Sequence, residues 1–259
     1  MKLNKLIAFL MMCTLHLQAQ DAVISDNSFL IEEAYNQEPR VVQHISNLSY
    51  AKKLKEWEYA LTQEWPLFTQ THQLSYSIPY TWLNGNSVVG FGDVAVNYRY
   101  QLWDDARWAA ISPRLTVILP TGDKKKGLGS GKTAYQVNLP LSKRISPSWV
   151  LHVNAGAAIM PGVSSGTTKE TLWSYNAGAS VIWLVKSNFN VLVEFVSTFD
   201  DEIMAGQVKN SASYTVIPGF RYAHNLGSLQ IVPGLGVPME LSGKKTKRAF
   251  FYLSLEHPF

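Results

Sequence analysis

Residues Gly92 to Leu102 read Gly-Asp-Val-Ala-Val-Asn-Tyr-Arg-Tyr-Gln-Leu, and polar and apolar side chains alternate along them. Apolar residues occupy positions 94, 96, 98, 100 and 102, whereas Asp93, Asn97 and Arg99 fall on the other parity. A period of two is typical of a β-strand with one apolar and one polar face. The same alternation recurs from about Lys55 to the end of the chain, so the sequence predicts an all-β protein.

The alternating stretches fit strands that cross a membrane. Many are about 10 residues long, which suffices for a tilted strand to span a bilayer. Aromatic residues stand at the ends of the apolar face, as at Trp173 and Trp183, where an interfacial girdle is expected. A soluble β-sandwich also alternates, but it has no need for aromatic ends.

The connections between the stretches alternate in length. Transmembrane barrels have short periplasmic turns and longer outer loops, so this parity favours a barrel over a sandwich. The short links are Pro66–Gln70, Trp103–Arg107, Lys143–Ser148, Lys186–Asn188 and Ala223–Ser228, and the longer ones are Leu83–Gly90, Thr121–Gly131, Pro161–Glu170, Asp200–Ser211 and Met239–Lys247.

The strand count follows from the two ends of the chain. We count roughly eleven strands from Glu56 onward, and the last must run inward if the chain ends on the short-loop side. A chain that starts in the periplasm then needs one more outward strand, and residues 41–50 fit it, with a tight link near Lys52–Leu54. We therefore predict an antiparallel up-and-down barrel of about 12 strands over residues 41–259, closed because no edge stays unpaired in lipid.

The chain begins with a predicted signal peptide over residues 1–20. Lys2 and Lys5 precede an apolar run from Leu6 to Leu17, which is the expected length for a secretory signal. Cys13 is the only cysteine and lies in this leader, so we expect a mature protein without disulfides.

Residues 21–40 are predicted to form a periplasmic segment ahead of the barrel. Asn27 or Ser28 could cap a short helix from Ser25 to Gln37, and Pro39 would end it. We expect this helix to pack on or into the barrel mouth.

Charged residues on the inward parity are the candidates for lining the lumen. We expect carboxylates and guanidinium groups to pair across it, either holding the interior of the barrel together or constricting a pore. They are Glu56, Glu58, Asp93, Arg99, Arg114, Glu194, Arg221 and Glu256.

The outer loops are basic, and the sequence pI of about 9.0 owes much to them. Two interpretations stay open: plain solvated loops, or attraction to the anionic sugar-lipid of the outer leaflet and to anionic solutes. The residues are Lys124, Lys125, Lys126, Lys244, Lys245 and Lys247, followed by Arg248.

No motif predicts a catalytic site, a metal or a cofactor. Gly127 to Thr133 looks like a phosphate loop, but Lys126 stands where the motif needs glycine and a strand-like stretch follows. His152 and Glu194 face inward, and no outward Ser-His pair of an outer-membrane lipid hydrolase is evident. We therefore expect a protein that is not an enzyme and binds no nucleic acid.

Several motifs resemble one family of exported barrels. They are Gly90-Phe91-Gly92-Asp93, Tyr98, Leu119-Pro120-Thr121-Gly122-Asp123 and Gly127-Leu128-Gly129-Ser130-Gly131. The family is named for a role in the meta-cleavage pathway of phenol degradation, and its members are often called transporters. The resemblance implies passage of aromatic or other small hydrophobic compounds, and it brings no catalytic residues. Phe259 on the last alternating stretch also resembles the carboxy-terminal signal that the barrel-insertion machinery reads.

The leading hypothesis is a channel or passive transporter for small solutes in the outer membrane of a Gram-negative-type bacterium. A narrow barrel favours selective passage over free diffusion. The alternatives are a structural barrel whose loops bind surface partners or glycolipid and, third, an outer-membrane lipid enzyme. The expected partners are outer-membrane lipid, the insertion machinery and a small solute.

Overall fold

The alternating stretches form strands in the computed structural model, which describes residues 28–165, 168–242 and 247–259. Twelve strands, four of them interrupted, make up the barrel within these residues. They are β1 (Val41–Ala51), β2 (Glu56–Leu67), β3 (Thr69–Leu83), β4 (Val88–Phe91 and Val94–Tyr100), β5 (Ala110–Ile111 and Arg114–Leu119), β6 (Ala134–Ser146), β7 (Trp149–Ser165), β8 (Thr168–Lys186), β9 (Phe189–Met204), β10 (Gln207–Tyr222 and His224–Leu226), β11 (Leu229–Gly236 and Met239–Glu240) and β12 (Arg248–Pro258).

The sheet closes on itself through its first and last strands. Every strand pairs antiparallel with its sequence neighbours, and β1 pairs with β12 from Val41 opposite Pro258 to Ala51 opposite Arg248. This confirms the predicted first strand and the even count. We call the end with residue 40 and the carboxy terminus the inner end; there Phe259 donates its N–H to the carbonyl of Arg40 at 2.9 Å.

The two parities of each strand face opposite environments, as the period of two predicts. In β5 the outward Leu115 is 56% exposed, whereas its neighbour Thr116 is 4% exposed and donates a hydrogen bond to Asn97 inside the lumen. Apolar side chains thus form the outer surface and polar ones much of the interior, which is the arrangement of a barrel that lipid surrounds. This is a membrane-spanning barrel of the outer-membrane type.

Aromatic residues form a row on the outer surface near the outer end. Tyr50 stacks on Trp57 with ring centroids 4.3 Å apart, and Trp57 lies opposite Trp82 in the β2–β3 pairing. Interfacial aromatic residues mark the edge of the hydrocarbon layer. We call Tyr50, Trp57 and Trp82 the outer aromatic row.

Two of the predicted long loops are strand instead. Residues 161–165 belong to β7 and 168–170 to β8, whereas 200–204 belong to β9 and 207–211 to β10. The β9–β10 link is only Ala205-Gly206, and both residues have positive φ, as in a type I′ hairpin turn. These four strands have 16 to 19 residues, whereas roughly 9–11 suffice to cross a bilayer. The β7–β8 and β9–β10 hairpins therefore project beyond the outer face of the membrane.

The helix predicted over Ser25–Gln37 is wrong for the part that the structure describes. Residues 28–38 have no helix or strand, while residues 25–27 and the predicted signal peptide lie outside the described residues. Among the residues described, no helix is long and apolar enough to cross a membrane.

The surface pattern makes a prediction about one substitution placed at two depths. Val193 lies outward in the membrane-spanning part of β9, and Val208 lies in the projecting part of β10. Val193→Arg should lower the free energy of unfolding in lipid vesicles by about 2–4 kcal/mol, because it puts a cation against hydrocarbon. Denaturant titration of tryptophan fluorescence measures this loss.

Val208→Arg is the matched control, since the two valines are 48% and 39% exposed. It should change stability by less than about 0.5 kcal/mol. Equal losses at both positions would contradict the projecting hairpins.

Candidate functional site

Residues 28–37, which we call the inner segment, run inside the lumen without regular secondary structure. Their backbone N–H groups donate to side chains of the barrel wall rather than to one another. Phe29 and Leu30 donate to Glu194, Glu32 to Asn154, Ala34 to Ser142, Asn36 to Gln101 and Gln37 to Gln73. The helix does not form because side-chain oxygens of the wall accept the N–H groups that backbone carbonyls would accept in a helix.

The inner segment follows the wall around the lumen. As residue number falls from Gln37 to Phe29, the contacts move from β3 through β4, β6, β7 and β8 to β9 and the last three strands. The side chain of Asn36 donates to the carbonyls of Gln70 and Thr71, at the inner end of β3. The segment therefore lies toward the inner end and narrows the lumen from within.

Glu194 holds the start of the inner segment. This carboxylate is fully buried and accepts the N–H of Phe29 at 2.5 Å and that of Leu30 at 2.9 Å. Next to them the hydroxyl of Ser28 donates to that of Ser180 at 2.6 Å. Because it accepts the N–H groups of two adjacent residues, Glu194 is the principal clamp of the segment.

Glycines in the wall make room for the apolar side chains of the segment. A Cβ on Gly219 would lie 2.4 Å from the ring of Phe29, and one on Gly178 would lie 2.5 Å from Cδ1 of Ile31. Gly234 and Gly236 meet the same phenyl ring. The ring also packs on Phe250 and Tyr252, with centroids 5.2 and 5.8 Å away. The lumen thus contains an apolar cluster, which the alternation alone does not predict.

Two arginines of the wall neutralise acidic residues of the segment. Arg99 donates to the carbonyls of Glu33 and Tyr35, and its Nη2 lies 3.5 Å from the Glu33 carboxylate and 3.6 Å from that of Glu64. Nη1 of Arg114 lies 2.5 Å from Oε1 of Glu32. The Arg114–Glu32 side chains are 20% and 23% exposed, against 5% and 7% for Arg99–Glu33. Of these two pairs, Arg114–Glu32 is therefore the one that water and ions can approach more easily.

A cavity of about 500 Å³ opens above the inner segment toward the outer end. Leu30 lies at its base and is 49% exposed, although both of its neighbours are buried. Apolar side chains such as Phe250 and Ile217 share the lining with polar and charged ones. Near the mouth, Nη1 of Arg248 lies 3.5 Å from the carboxylate of Glu58.

The charged residues that the sequence predicted to face inward make different contacts. Arg99, Arg114 and Glu194 bind the inner segment, and Nη2 of Arg99 also lies 3.6 Å from the carboxylate of Glu64 on β2. Glu256 accepts from Gln43, and Arg221 donates to Asn190 and stacks over Tyr252. Glu56 and Glu58 stand at the outer end of β2. Whether any of them lines a conducting path stays a prediction.

Asp93 fastens an outer loop, a structural task that the sequence did not predict. Its carboxylate accepts the N–H groups of Gly122 and Ser130 and the hydroxyl of Ser130, at 2.7 to 2.9 Å. Thr121 adds a hydrogen bond to the carbonyl of Gly92. The motifs that carried the family resemblance thus meet in one hydrogen-bonded outer loop.

The basic loop residues lie at the outer end where the structure describes them. Lys124–Lys126 form an exposed turn that Asp123 caps, and Lys247 is exposed beside β12. Lys244 and Lys245 lie outside the described residues. Phe259 is exposed at the inner end, and its role in assembly stays a prediction.

A Ser-His contact escaped the sequence analysis. The hydroxyl of Ser142 lies 2.6 Å from Nδ1 of His152, and the two residues face each other in the β6–β7 pairing. Both are fully buried, and Ser142 accepts the N–H of Ala34. The pair anchors the inner segment inside the lumen, away from the outward surface where a lipid hydrolase would need it. The sequence offered one sign of this contact: Ser142 and His152 both lie on the inward parity of two consecutive strands.

Comparison with known proteins supports the fold. No protein-family model matches the chain, and no curated protein matches it. Solved structures do, and three of them are the COG4313 outer membrane channel from Pseudomonas putida F1 (TM-score 0.64, 13% identity, 87% of this chain and 98% of that one), the NanC porin (0.57, 10%, 83% and 100%) and the KdgM porin (0.52, 10%, 85% and 99%). At these identities the likeness concerns architecture, and it agrees with a barrel in the outer membrane of a Gram-negative bacterium.

The burial of the inner segment predicts which introduced thiols react. Ala34→Cys should react with a water-soluble maleimide at least about tenfold more slowly than Leu30→Cys, because Ala34 is fully buried and Leu30 faces the cavity. The only native cysteine is Cys13, so a chain produced from residue 21 onward carries the introduced thiol alone. Gel shift with a maleimide polymer measures both rates, and equal rates would mean that the segment is not held against the wall.

Proposed function

We propose that the protein is an outer-membrane channel for small solutes, aromatic and other hydrophobic compounds among them, whose width the inner segment sets. The observation that carries this proposal is the segment itself, clamped to the inner part of the wall below an open cavity. A structural barrel has no need of an open cavity of about 500 Å³ above a narrowed lumen.

The cavity lining supports the solute class. Leu30, Ala60 and Pro79 offer apolar contact, while hydroxyl groups such as those of Thr81 and Ser213 offer hydrogen bonds. Ligand sites are usually apolar with a few polar groups that orient the ligand. A small solute with a ring and one polar substituent matches that mixture, and so the proposal keeps the solute class that the family resemblance implies.

The first test asks whether the inner segment controls current. Glu194→Ala removes the acceptor of two segment N–H groups, so it should increase the frequency of large conductance steps in a planar bilayer. Step size should rise by at least about twofold, because displacing the segment widens a lumen that side chains otherwise fill.

A disulfide lock gives the matched control. The hydroxyl oxygens of Ser28 and Ser180 are 2.6 Å apart, so Ser28→Cys/Ser180→Cys brings two sulfurs close to bonding distance. In the oxidised lock the Glu194→Ala effect should vanish, and reductant added to the same membrane should restore it. Large steps that persist in the oxidised lock would refute control by the segment.

The second test uses the Arg114–Glu32 pair. Glu32→Gln leaves a net cation beside the path and should shift the reversal potential toward anion preference, whereas Arg114→Gln should shift it toward cations. The double variant should return close to the wild type, because both charges are gone. Single variants that leave the reversal potential unchanged would show that ions take no path past this pair.

A further inference from the structure

Four lysines lie at the outer end of the β1–β12 pairing, which we call the seam. We call these lysines the rim patch: Lys52, Lys53, Lys55 and Lys247. Three lie in the β1–β2 turn, and the fourth directly precedes β12. The N–H of Lys52 donates to the carbonyl of Lys247 at 3.1 Å, so the turn and the start of β12 adjoin. All four residues are exposed.

Within the described residues, none of the four lysines lies within 4.0 Å of a carboxylate. The nearby Arg248 pairs with Glu58, and that pair faces the cavity rather than the rim. Glu56 follows the turn on the same inward parity. The rim therefore presents a concentrated positive charge to whatever surrounds the barrel at this height.

The height of the patch is fixed by the outer aromatic row. Lys52 comes two residues after Tyr50 and Lys55 two residues before Trp57, so the lysines stand just beyond the edge of the hydrocarbon layer. Charged lipid headgroups occupy this level. Between the lysines, Leu54 is 47% exposed, which gives the turn an apolar contact for acyl chains.

We propose that the rim patch binds the phosphate groups of the anionic glycolipid in the outer leaflet. Clusters of lysine beside a membrane-spanning segment attract anionic headgroups, and here the aromatic row holds the cations at phosphate level. The binding orders glycolipid along the β12–β1–β2 side of the barrel. It is independent of solute passage.

The loop at Lys124–Lys126 supplies a matched comparison. It carries three lysines, as the β1–β2 turn does, but Lys126 lies 3.7 Å from Asp123, and the loop connects β5 and β6 rather than lying at the β1–β12 pairing. Removing three charges from either place changes the net charge equally, so only position distinguishes the two variants.

The experiment measures glycolipid binding by the mature, refolded barrel. Lipid A bearing two phosphates is titrated in detergent, and bound molecules are counted by native mass spectrometry. Lys52→Gln/Lys53→Gln/Lys55→Gln should weaken binding at least about tenfold, and Lys124→Gln/Lys125→Gln/Lys126→Gln less than about threefold. Monophosphoryl lipid A should bind the wild type more weakly than the bisphosphate.

Several results would overturn the proposal. They are equal losses in the two triple variants, no loss in either, or wild-type binding that ignores the phosphate number. Competition by millimolar inorganic phosphate would assign the patch to free anions instead. Heat-dependent gel mobility checks folding, and Lys53→Gln/Lys247→Gln takes one charge from each side of the seam as a second, milder variant. Because no current is recorded, failure here is distinct from failure of the channel proposal.

Discussion

The pairing of β1 with β12 is the contact on which the rest of the molecule depends. In hydrocarbon no water satisfies a free backbone N–H or carbonyl, so a sheet that crosses it must have no edge. The eleven residue pairs from Val41–Pro258 to Ala51–Arg248 remove both edges at once. Closure then fixes which parity meets lipid, and with it the outer aromatic row and the enclosed lumen.

Closure also creates an interior that must be filled. In a soluble protein apolar residues pack inside, whereas here the wall turns asparagine, serine and glutamate side chains inward. The backbone N–H groups of the inner segment donate hydrogen bonds to these side chains. Phe29 and Ile31 pack where wall glycines leave space for them. Wall and segment therefore form one core, although the segment contributes no strand.

Much of this architecture was predictable because alternation is a local signal. The period of two predicted the two faces of each strand. The need for one more outward strand, in a chain that starts in the periplasm, placed β1 at residues 41–50. The β9–β10 hairpin was missed because polar residues from Asp200 to Ser211 look like a loop, whereas outside lipid both faces of a strand can be polar. The Ala205-Gly206 pair was the available sign of a tight turn.

The inner segment was not predictable from its own residues. Phe29, Leu30 and Tyr35 fit a helical face, and Ser28 fits a cap, so local preference favoured a helix. The competing acceptors lie far away in sequence, with Glu194 165 residues from Phe29. Gly219, Gly234 and Gly236 lie on the inward parity and make room for the ring of Phe29. Nothing in the sequence indicates which residue fills that space. Asp93 was assigned to the lumen by parity alone, since loop contacts carry no period.

The long reach of the inner segment has a consequence for biogenesis. Residues 28–37 leave the ribosome before any strand, yet the groups that hold them belong to strands made up to the very end of the chain, Phe250 and Tyr252 included. Contacts of such sequence separation form slowly, because a long loop must close first. The inner segment can therefore complete its contacts only after the last strand has been made, so a barrel that lacks β12 would leave Phe29 without part of its packing.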